Sequence, residues 1–544
     1  MPISTSLLHG ATSRLSQAQN AGNSANAWQH QDGSLWQSDT QLSADVVVIG
    51  TGAGGGVAAE LLSQAGFRVM VLEMGAFHQH TDFRQQERWA YPQLYQDGAG
   101  RKTLDKGISI LQGRSVGGST TVNWTTSIRT PAPTLAFWQQ QFGLTELTTE
   151  ALTPFFQLAE QRFHIKPWAV PPNANNALLK RGCDALGWQS TVIARNVTAC
   201  ANLGYCGMGC PLNAKQSTLV TSIPAALNAG AQLLTRVYAE RFEWQGDRIS
   251  ALIAHPVDAH YQTDRRITIR IEATHFVLAA GAIHSPALLL RSQVPDPSGR
   301  LGAHTYLHPS LISGAIFPHE VHGHTGAPQS IYSDEFVWPK HPGMGFKLEV
   351  PPIHPVLMAT KLSVDGAAHA ALMQQFNHLQ VTIALLRDGF HHEAQGGHVT
   401  LGAQGQPILD YRCTDYVFAG ARQALLAMAE LQFAAGATQV LPLHRAGQMQ
   451  SSWQAAKQHI AELPLHAGAV AMASAHVMGG CNMSASSTQG VVDGYGMHHQ
   501  LRNLQVVDGS VLPTSLGANP QLTIFALAWR NIQHFIAQQR PSSP

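Results

Sequence analysis

The segment Asp45 to Glu73, DVVVIGTGAGGGVAAELLSQAGFRVMVLE, decides how this chain folds. Its first run, Val46 to Ile49, is continuously β-branched or aliphatic, as expected of a strand that is buried on both faces. Glycines interrupt that run, Ala58 to Ala65 follows as a helix, and Gly66 ends it. Val69 to Leu72 is a second buried strand. The segment therefore predicts a β-α-β unit.

The glycines between the first strand and the helix form a pattern that indicates ligand binding. Gly50-Thr51-Gly52-Ala53-Gly54-Gly55 matches G-x-G-x-x-G in the context that a dinucleotide requires. The glycines let the backbone approach a pyrophosphate, and the helix N-terminus supplies unpaired N–H groups. Glu73, at the end of the second strand, is placed to accept hydrogen bonds from ribose hydroxyls. The loop alone does not distinguish FAD from NAD.

Two later regions have the same buried-strand pattern. His275 to Ala280 precedes a turn at Gly281 and a helix from Pro286 to Arg291, and Leu504 to Val507 precedes a helix from Ile524 to Ile536. The parallel-sheet elements therefore lie at both ends of the chain.

The middle of the chain, residues 310–465, is less regular and contains strand-like pieces such as Leu379 to Leu386. A chain of 544 residues is too long for one compact core, so the length favours two or more domains. We therefore interpret this middle region as part of an inserted substrate domain.

Composition excludes some functions. Lys plus Arg (34) nearly balance Asp plus Glu (33), and no basic run is present, so nucleic-acid binding is not expected. Charged residues make up 12%, against roughly 25% in typical soluble domains, which leaves room for peripheral membrane contact. The first 40 residues lack the hydrophobic core of a signal peptide, and no apolar run reaches the ~20 residues of a membrane span. These features predict a cytoplasmic protein.

Three further segments identify the cofactor. The first is Gly113-Arg114-Ser115-Val116-Gly117-Gly118-Ser119-Thr120-Thr121-Val122-Asn123, and the second is Gly281-Ala282-Ile283-His284-Ser285-Pro286. The third comprises His476 to Met483 (HVMGGCNM), Val507 to Ser510 (VDGS) and Asn519-Pro520. In order and spacing they resemble the glucose-methanol-choline (GMC) family of FAD oxidoreductases. The second segment departs from the family pattern, because Ser292-Gln293-Val294 replaces its usual Ser-Gly-hydrophobic-Gly ending.

The resemblance implies a fold of class α/β plus α+β. An FAD-binding, Rossmann-like parallel-sheet domain is built from both chain ends, and a substrate domain of antiparallel sheet and helices is interleaved with it. Residues 1–40 are predicted to form a loosely ordered N-terminal arm, docked by Trp28 and Trp36. The predicted FAD-binding domain comprises residues 41–135, 225–310 and 466–544, and the substrate-binding domain comprises residues 136–224 and 311–465.

The resemblance also implies a set of cofactor-binding residues. Some family members bond the flavin covalently through a His just before the Asn of the first signature, but Val122 stands there, so noncovalent FAD is expected. The residues predicted to bind FAD are Gly50, Gly52, Gly55, Glu73, Arg114, Gly117, Gly118, Ser119, Asn123, Val237, Ala280, Gly281, Asp508, Gly509, Asn519 and Pro520.

His476 and Asn519 occupy the family's catalytic positions. An alcohol becomes a good hydride donor only as its hydroxyl proton leaves, so the reaction needs a base with a pKa near neutrality. The resemblance makes His476 that base and Asn519 its partner on the substrate oxygen. Asn519-Pro520 also has the pattern of a helix start, whose positive end would face the flavin.

Three of the six cysteines, Cys200, Cys206 and Cys210, lie in one Gly-rich segment. It resembles long-chain alcohol oxidases and dehydrogenases, although Leu203 stands where many of these carry a further Cys. It also resembles the flavoprotein subunits of bacterial sugar dehydrogenases, where three Cys at this spacing hold a three-iron four-sulfur cluster. Packed structural thiols or a disulfide are the alternatives. The other three cysteines, Cys183, Cys413 and Cys481, are interpreted as isolated core thiols.

Three functions remain open at this point. The first is oxidation of primary aliphatic alcohols of medium or long chain to aldehydes, with oxygen, a quinone or a protein as electron acceptor. The second is a sugar or polyol dehydrogenase that passes electrons through an iron–sulfur cluster to a cytochrome partner. The third is a catalytically inactive flavoprotein that serves as a binding module, which the intact His476 and Asn519 oppose. The substrate region offers mixed evidence, namely His308, Gln329, Tyr332 and Lys361 beside Phe317, Trp338, Phe346 and Met358.

Overall fold

The computed structural model describes residues 28–340, 343–362 and 364–539. Within them the chain forms mixed α/β structure, and the elements are numbered in chain order. The helices are α1 (Ala53–Gln64), α2 (Glu87–Leu94), α3 (Ser119–Val122), α4 (Ala132–Phe142), α5 (Thr149–Arg162), α6 (Ala174–Leu186), α7 (Ser222–Asn228), α8 (Gly281–Arg291), α9 (Pro355–Lys361), α10 (Gly366–Gln374), α11 (Asp415–Ala434), α12 (Trp453–Glu462) and α13 (Gln521–Gln539).

The strands are spread over the whole described chain. They are β1 (Gln29–Asp32), β2 (Thr40–Ile49), β3 (Val69–Glu73), β4 (Ile108–Ile110), β5 (Ile165–Pro167), β6 (Thr191–Val192), β7 (Ala194–Asn196), β8 (Gln232–Thr235), β9 (Val237–Gln245), β10 (Arg248–Pro256), β11 (Ile269–Leu278), β12 (Thr305–Leu307), β13 (Ser310–Ile316), β14 (Ile331–Phe336), β15 (Phe346–Glu349), β16 (Leu379–Leu386), β17 (His398–Leu401), β18 (Pro407–Asp410), β19 (Gln439–Pro442), β20 (Met472–Ser474), β21 (Val477–Gly479) and β22 (Leu504–Val506).

The first large sheet confirms the predicted parallel architecture. Its order is β1-β8-β3-β2-β11-β10-β9, and β22 also pairs with β11. The pairs from β1 to β11 are parallel, as is β11 with β22, whereas β10 runs antiparallel to both of its neighbours, β11 and β9. Because β2 and β22 come from opposite ends of the chain, both ends contribute to one sheet.

The elements predicted from the decisive segment are present, with longer bounds. β2 begins at Thr40 and α1 at Ala53, and Gly66 reverses the chain with φ +92°. The helix after β11 begins at Gly281, five residues before the predicted start, because Gly281 turns the chain directly with φ +86°.

Part of the predicted N-terminal arm is ordered secondary structure. β1 adds to the edge of the first sheet by pairing with β8, and the indole N–H of Trp28 donates to Asn228 Oδ1 at 2.7 Å. Trp36 packs against the buried core of this domain. Residues 1–27 of the arm lie outside the described residues.

The second large sheet is mainly antiparallel, with the order β4-β20-β13-β16-β15-β14-β6 and β19 paired with β13. α11 packs against β13 and β16, and it forms a second buried core with α6 and α12. Two short strands, β4 and β20, come from segments that we predicted to belong to the first domain. Through β20 the second sheet reaches the segment that carries His476.

None of the described helices is both long and apolar enough to cross a bilayer.

Candidate active site

A cavity of about 350 Å³ lies between the carboxyl ends of the parallel strands and the second sheet. Open α/β sheets bind ligands at this edge. Most of the residues predicted from motifs meet here, although they are far apart in the sequence. Those that line it are Gly50, Gly52, Glu73, Gly118, Ser119, Asn123, Val237, Ala280, Gly281, His476, Asp508, Gly509, Asn519 and Pro520.

The glycines of the first loop have different roles. A Cβ on Gly52 would meet no protein atom within 4 Å, so this residue faces open cavity at the start of α1. A Cβ on Gly54 would lie 1.7 Å from the carbonyl oxygen of Val507, and one on Gly55 would lie 1.9 Å from that of Gly50. Gly55 therefore lets the helix approach the strand and does not line the cavity. A helix N-terminus that opens onto the cavity at Gly52 fits a pyrophosphate.

Two buried carboxylates stabilise the loops around this cleft. Glu73 accepts hydrogen bonds from the Thr51 N–H at 3.2 Å and the Gly75 N–H at 2.9 Å, and burial raises its pKa. Asp508 accepts from the Gly281 N–H at 2.8 Å and from the Ser285 hydroxyl at 2.5 Å. Asp508 thus joins the C-terminal segment to the second signature.

Two residues of the first signature do not line the cavity. The guanidinium of Arg114 stacks over the Tyr261 ring, 3.4 Å from its centroid, and donates to the Pro92 carbonyl at 3.0 Å. Gly117 has φ +91°, and a Cβ there would clash with the Thr121 hydroxyl. Both residues support the loop from behind. Neither is part of the cavity wall, where we predicted that they would contact the cofactor.

His476 faces the cavity and is packed against a second histidine. Its Nδ1 lies 3.0 Å from Nδ1 of His308, and its Nε2 lies 3.4 Å from the Asn519 amide nitrogen. The Gly517 N–H donates to Nε2 of His308 at 3.2 Å. Burial, with a smaller contribution from the charge of Lys347, lowers the pKa of His476 to about 4, and burial lowers the pKa of His308 well below its usual value. Both rings are therefore neutral near pH 7.

A buried carboxyl that the sequence analysis missed completes this group. Glu349 accepts from Gln329 Nε2 at 2.7 Å and from Asn519 Nδ2 at 3.4 Å. Its other oxygen, Oε1, and Asn519 Oδ1 have no hydrogen-bond partner among the described residues. The signal available in the sequence was the alternation Phe346-Lys347-Leu348-Glu349, which places both charges on one face of a strand.

The wall opposite the dinucleotide loop is largely apolar. The second sheet contributes Ile312, Val381, Ile383 and Leu385, and α9 contributes Leu357 and Met358. Of the polar residues noted in this region, Gln329 and Lys361 line the cavity, whereas His308 lies behind His476. Tyr332, Phe317, Trp338 and Phe346 do not line it.

The three clustered cysteines lie outside this cavity as free thiols. Arg195 Nη2 lies 3.6 Å from Cys206 Sγ, and Lys215 donates to the Cys206 carbonyl at 2.6 Å. Arg195 is 1% exposed and Lys215 is 3% exposed, and neither has a carboxylate ion-pair partner among the described residues. Burial lowers the pKa of Lys215 to about 8.

Comparison with known proteins then decides the family. Residues 91–310 and 393–528 match the N-terminal and C-terminal domains of the GMC oxidoreductases. The chain belongs to the GMC oxidoreductase family.

This GMC oxidoreductase is similar to two long-chain-alcohol oxidases of Arabidopsis thaliana, with 28% and 29% identity over 90% of the chain. It spans 66% and 67% of their lengths, about two thirds. It is also 27% identical to an uncharacterized GMC-type oxidoreductase of Sinorhizobium fredii, over 91% of this chain and 94% of that protein.

Solved structures show the same fold. A formate oxidase variant from Aspergillus oryzae has a TM-score of 0.66 at 14% identity, covering 93% of this chain and 99% of its own. Pyridoxine 4-oxidase from Mesorbium loti has a TM-score of 0.64 at 19% identity, covering 91% and 100%. The predicted two-part fold of this GMC oxidoreductase is thereby confirmed.

Proposed function

We propose that this protein oxidises primary alcohols of medium or long chain to aldehydes, with FAD held in the cavity. One observation carries the proposal: His476 and Asn519 face a cavity that has a dinucleotide loop on one side and an apolar wall on the other. An apolar wall favours an alkyl chain, because burying each CH₂ contributes roughly 0.8 kcal/mol.

The cofactor would be held by groups already in place. The backbone of Gly52 and the N-terminus of α1 suit the pyrophosphate, and Glu73 suits the ribose hydroxyls. Val122 lines the cavity and has no nucleophilic atom, which supports noncovalent binding. When bound, FAD supplies the hydride acceptor.

Two residues of the chain would act on the hydroxyl group of the substrate. His476 would accept the hydroxyl proton at Nε2, and Asn519 would hydrogen-bond the same substrate oxygen. α13 begins at Gln521 beside the cavity, so its positive end stabilises negative charge that accumulates there.

The first test is anaerobic reduction of the purified holoenzyme. We expect dodecanol to bleach the flavin absorbance and glucose to leave it unchanged, because few polar groups line the substrate side of the cavity. Bleaching by glucose alone would contradict the aliphatic substrate, and a folded protein without flavin would remove the whole proposal.

The second candidate, an electron-relaying dehydrogenase with an iron–sulfur cluster, is favoured by one feature. Buried Arg195 and Lys215 both lie beside the cysteine segment, and a buried cation needs an anionic partner to offset its desolvation. A thiolate-bound cluster at Cys200, Cys206 and Cys210 would supply that charge.

Metal analysis of protein prepared without oxygen tests the cluster. A three-iron cluster would give about three irons per chain and a broad brown absorbance, and Cys206→Ser would abolish both while Cys413→Ser would not. Iron-free protein with full alcohol-dependent flavin reduction would leave these three cysteines as structural thiols.

The electron acceptor is proposed to be oxygen, a quinone or a protein partner. Peripheral contact with a membrane is a further proposal, supported by the low charged fraction of the sequence. A cytoplasmic location is likewise a proposal. Comparison of turnover with oxygen and with a soluble quinone separates the first two acceptors.

A further inference from the structure

Glu349 is fully buried beside the proposed catalytic pair, yet only one of its two oxygens is hydrogen-bonded. Its neighbour across the ladder is Ile383, which lines the cavity, so the carboxyl lies on the cavity side of the second sheet. A buried carboxyl with one unpartnered oxygen is costly in the ionised form and is held in place by the groups around it.

Several charged or titratable groups face this carboxyl. Lys347 lies two residues away on the same strand and favours the carboxylate, whereas Asp334 on β14 opposes it. Tyr332 on β14 pairs directly with Glu349, and His476 and His308 are reached through Asn519. Burial outweighs these partners and raises the pKa of Glu349 to about 7.

The contacts of His308 favour one tautomer of each histidine. The Gly517 N–H donates to Nε2 of His308, so neutral His308 carries its proton on Nδ1. That proton then points at Nδ1 of His476, 3.0 Å away. Neutral His476 must in turn carry its proton on Nε2, which leaves no lone pair facing the substrate.

An ionised Glu349 favours the opposite tautomer of His476. A carboxylate can only accept, so it orients the Asn519 NH₂ group toward itself and toward Nε2 of His476, 3.4 Å away. Nε2 must then offer a lone pair, and the His476 proton moves to Nδ1, opposite His308. The two ends of one hydrogen-bonded chain therefore favour different tautomers of His476.

We propose that the charge of Glu349 decides between these two arrangements and so makes Glu349 a positioning residue for the base. This inference rests on the proposed function. Ionised Glu349 holds the Asn519 NH₂ inward and keeps Nε2 of His476 unprotonated, so a substrate hydroxyl can replace the 3.4 Å contact with Asn519 and transfer its proton there. In this arrangement the His308 proton moves to Nε2, so the Gly517 N–H loses its acceptor. Protonated Glu349 donates a hydrogen bond to the side-chain carbonyl oxygen of Asn519, once the Asn519 amide group has rotated by half a turn. The same oxygen accepts a hydrogen bond from Nε2–H of His476. Nε2 then has no lone pair with which to accept the hydroxyl proton. Each imidazole carries one proton in both arrangements, so only Glu349 gains a proton overall.

Alcohol-dependent flavin reduction should depend on pH through the ionisation of Glu349. The carboxyl ionises as the pH rises, so flavin reduction by alcohol should increase through about pH 7 and fall about tenfold per unit below it. The ring of His476 does not titrate in this range, because its own pKa lies at about 4.

The experiment is stopped-flow reduction of the holoenzyme by dodecanol from pH 5.5 to 8.5. We expect Glu349→Gln to remove the inflection near pH 7. Asp388→Asn is the matched control, since Asp388 is a buried carboxyl whose pKa burial also raises to about 7, but it is hydrogen-bonded to Tyr411. Asp388→Asn should retain the inflection. An unchanged inflection in flavin-replete Glu349→Gln would overturn the proposal.

Two further measurements test the proposal if Glu349→Gln does not fold or if dodecanol is not a substrate. If Glu349→Gln does not fold, Gln329→Leu removes the amide that donates to the carboxylate, and the inflection should then move to higher pH. An unmoved inflection in Gln329→Leu would contradict the proposal. Infrared difference spectra between pH 6 and 8 should show a carboxylic C=O band that is absent in Glu349→Gln, a readout that stands even if dodecanol proves not to be a substrate.

Discussion

Replacing His476 with Ala should slow alcohol-dependent flavin reduction by about 10²- to 10⁴-fold, the range in which a positioned base contributes. The cavity would lose the only imidazole nitrogen that lies within hydrogen-bond range of Asn519 among the described residues. FAD binding should persist, because the dinucleotide loop and Asp508 hold other parts of the cleft. The measurement is anaerobic stopped-flow reduction by dodecanol with the flavin content determined in parallel.

His319→Ala is the control for this variant, since His319 is exposed and does not line the cavity. It should be reduced at the rate of the unmodified protein. A His476→Ala variant reduced at that same rate would remove the base assignment and, with it, the mechanism proposed above.

Adding a single methyl group to Gly54 is expected to destabilise the protein itself. The new Cβ would lie 1.7 Å from the Val507 carbonyl oxygen, so α1 or the residue that follows β22 must move. Overpacking of this kind costs about 3 kcal/mol at the upper end of its usual range, which exceeds the roughly 1 kcal/mol that Ala gains over Gly in a helix. Thermal unfolding of the apoprotein should therefore occur at a lower temperature in Gly54→Ala.

Gly52→Ala is the matched variant with a different expected result. Its Cβ would meet no protein atom within 4 Å, and its φ of −64° suits any residue, so the apoprotein should unfold at the normal temperature. The methyl group would instead occupy the space proposed for the pyrophosphate and raise the Kd for FAD by about tenfold or more, equivalent to about 1.4 kcal/mol. Fluorescence titration of the apoprotein with FAD measures this change. Normal FAD affinity in Gly52→Ala would mean that the pyrophosphate does not lie against this loop.

Much of the candidate site could be predicted because its residues follow strand ends in recognisable segments. Asp508 and Gly281 lie two and three residues beyond the ends of the neighbouring parallel strands β22 and β11, and parallel strands bring such ends to one edge of a sheet. His476, between β20 and β21, and Asn519, just before α13, were predicted from their surrounding motifs instead. Arg114, Gly117 and Gly55 support the loops from behind and do not line the cavity, since a motif does not state which of its residues face a ligand.

Other parts of the site depend on packing between distant segments. Glu349 could be placed on the same strand face as Lys347 from alternation alone, but not on the cavity side. That placement follows from β15 pairing with β16, whose Ile383 and Leu385 line the cavity. The contact between His308 and His476 likewise joins residues 168 positions apart.

By itself, the sequence determined the parallel-sheet domain, the dinucleotide loop, the membership of the family and the positions of His476 and Asn519. Each of these depends on local patterns, in which a few consecutive residues dictate a turn, a strand or a helix start. Only the tertiary structure decided the apolar wall, the buried carboxyl of Glu349 and the two opposing hydrogen-bond requirements on His476. The physical reason is that burial raises or lowers a pKa, and assigns a proton to one nitrogen, only after elements from distant parts of the chain have packed together.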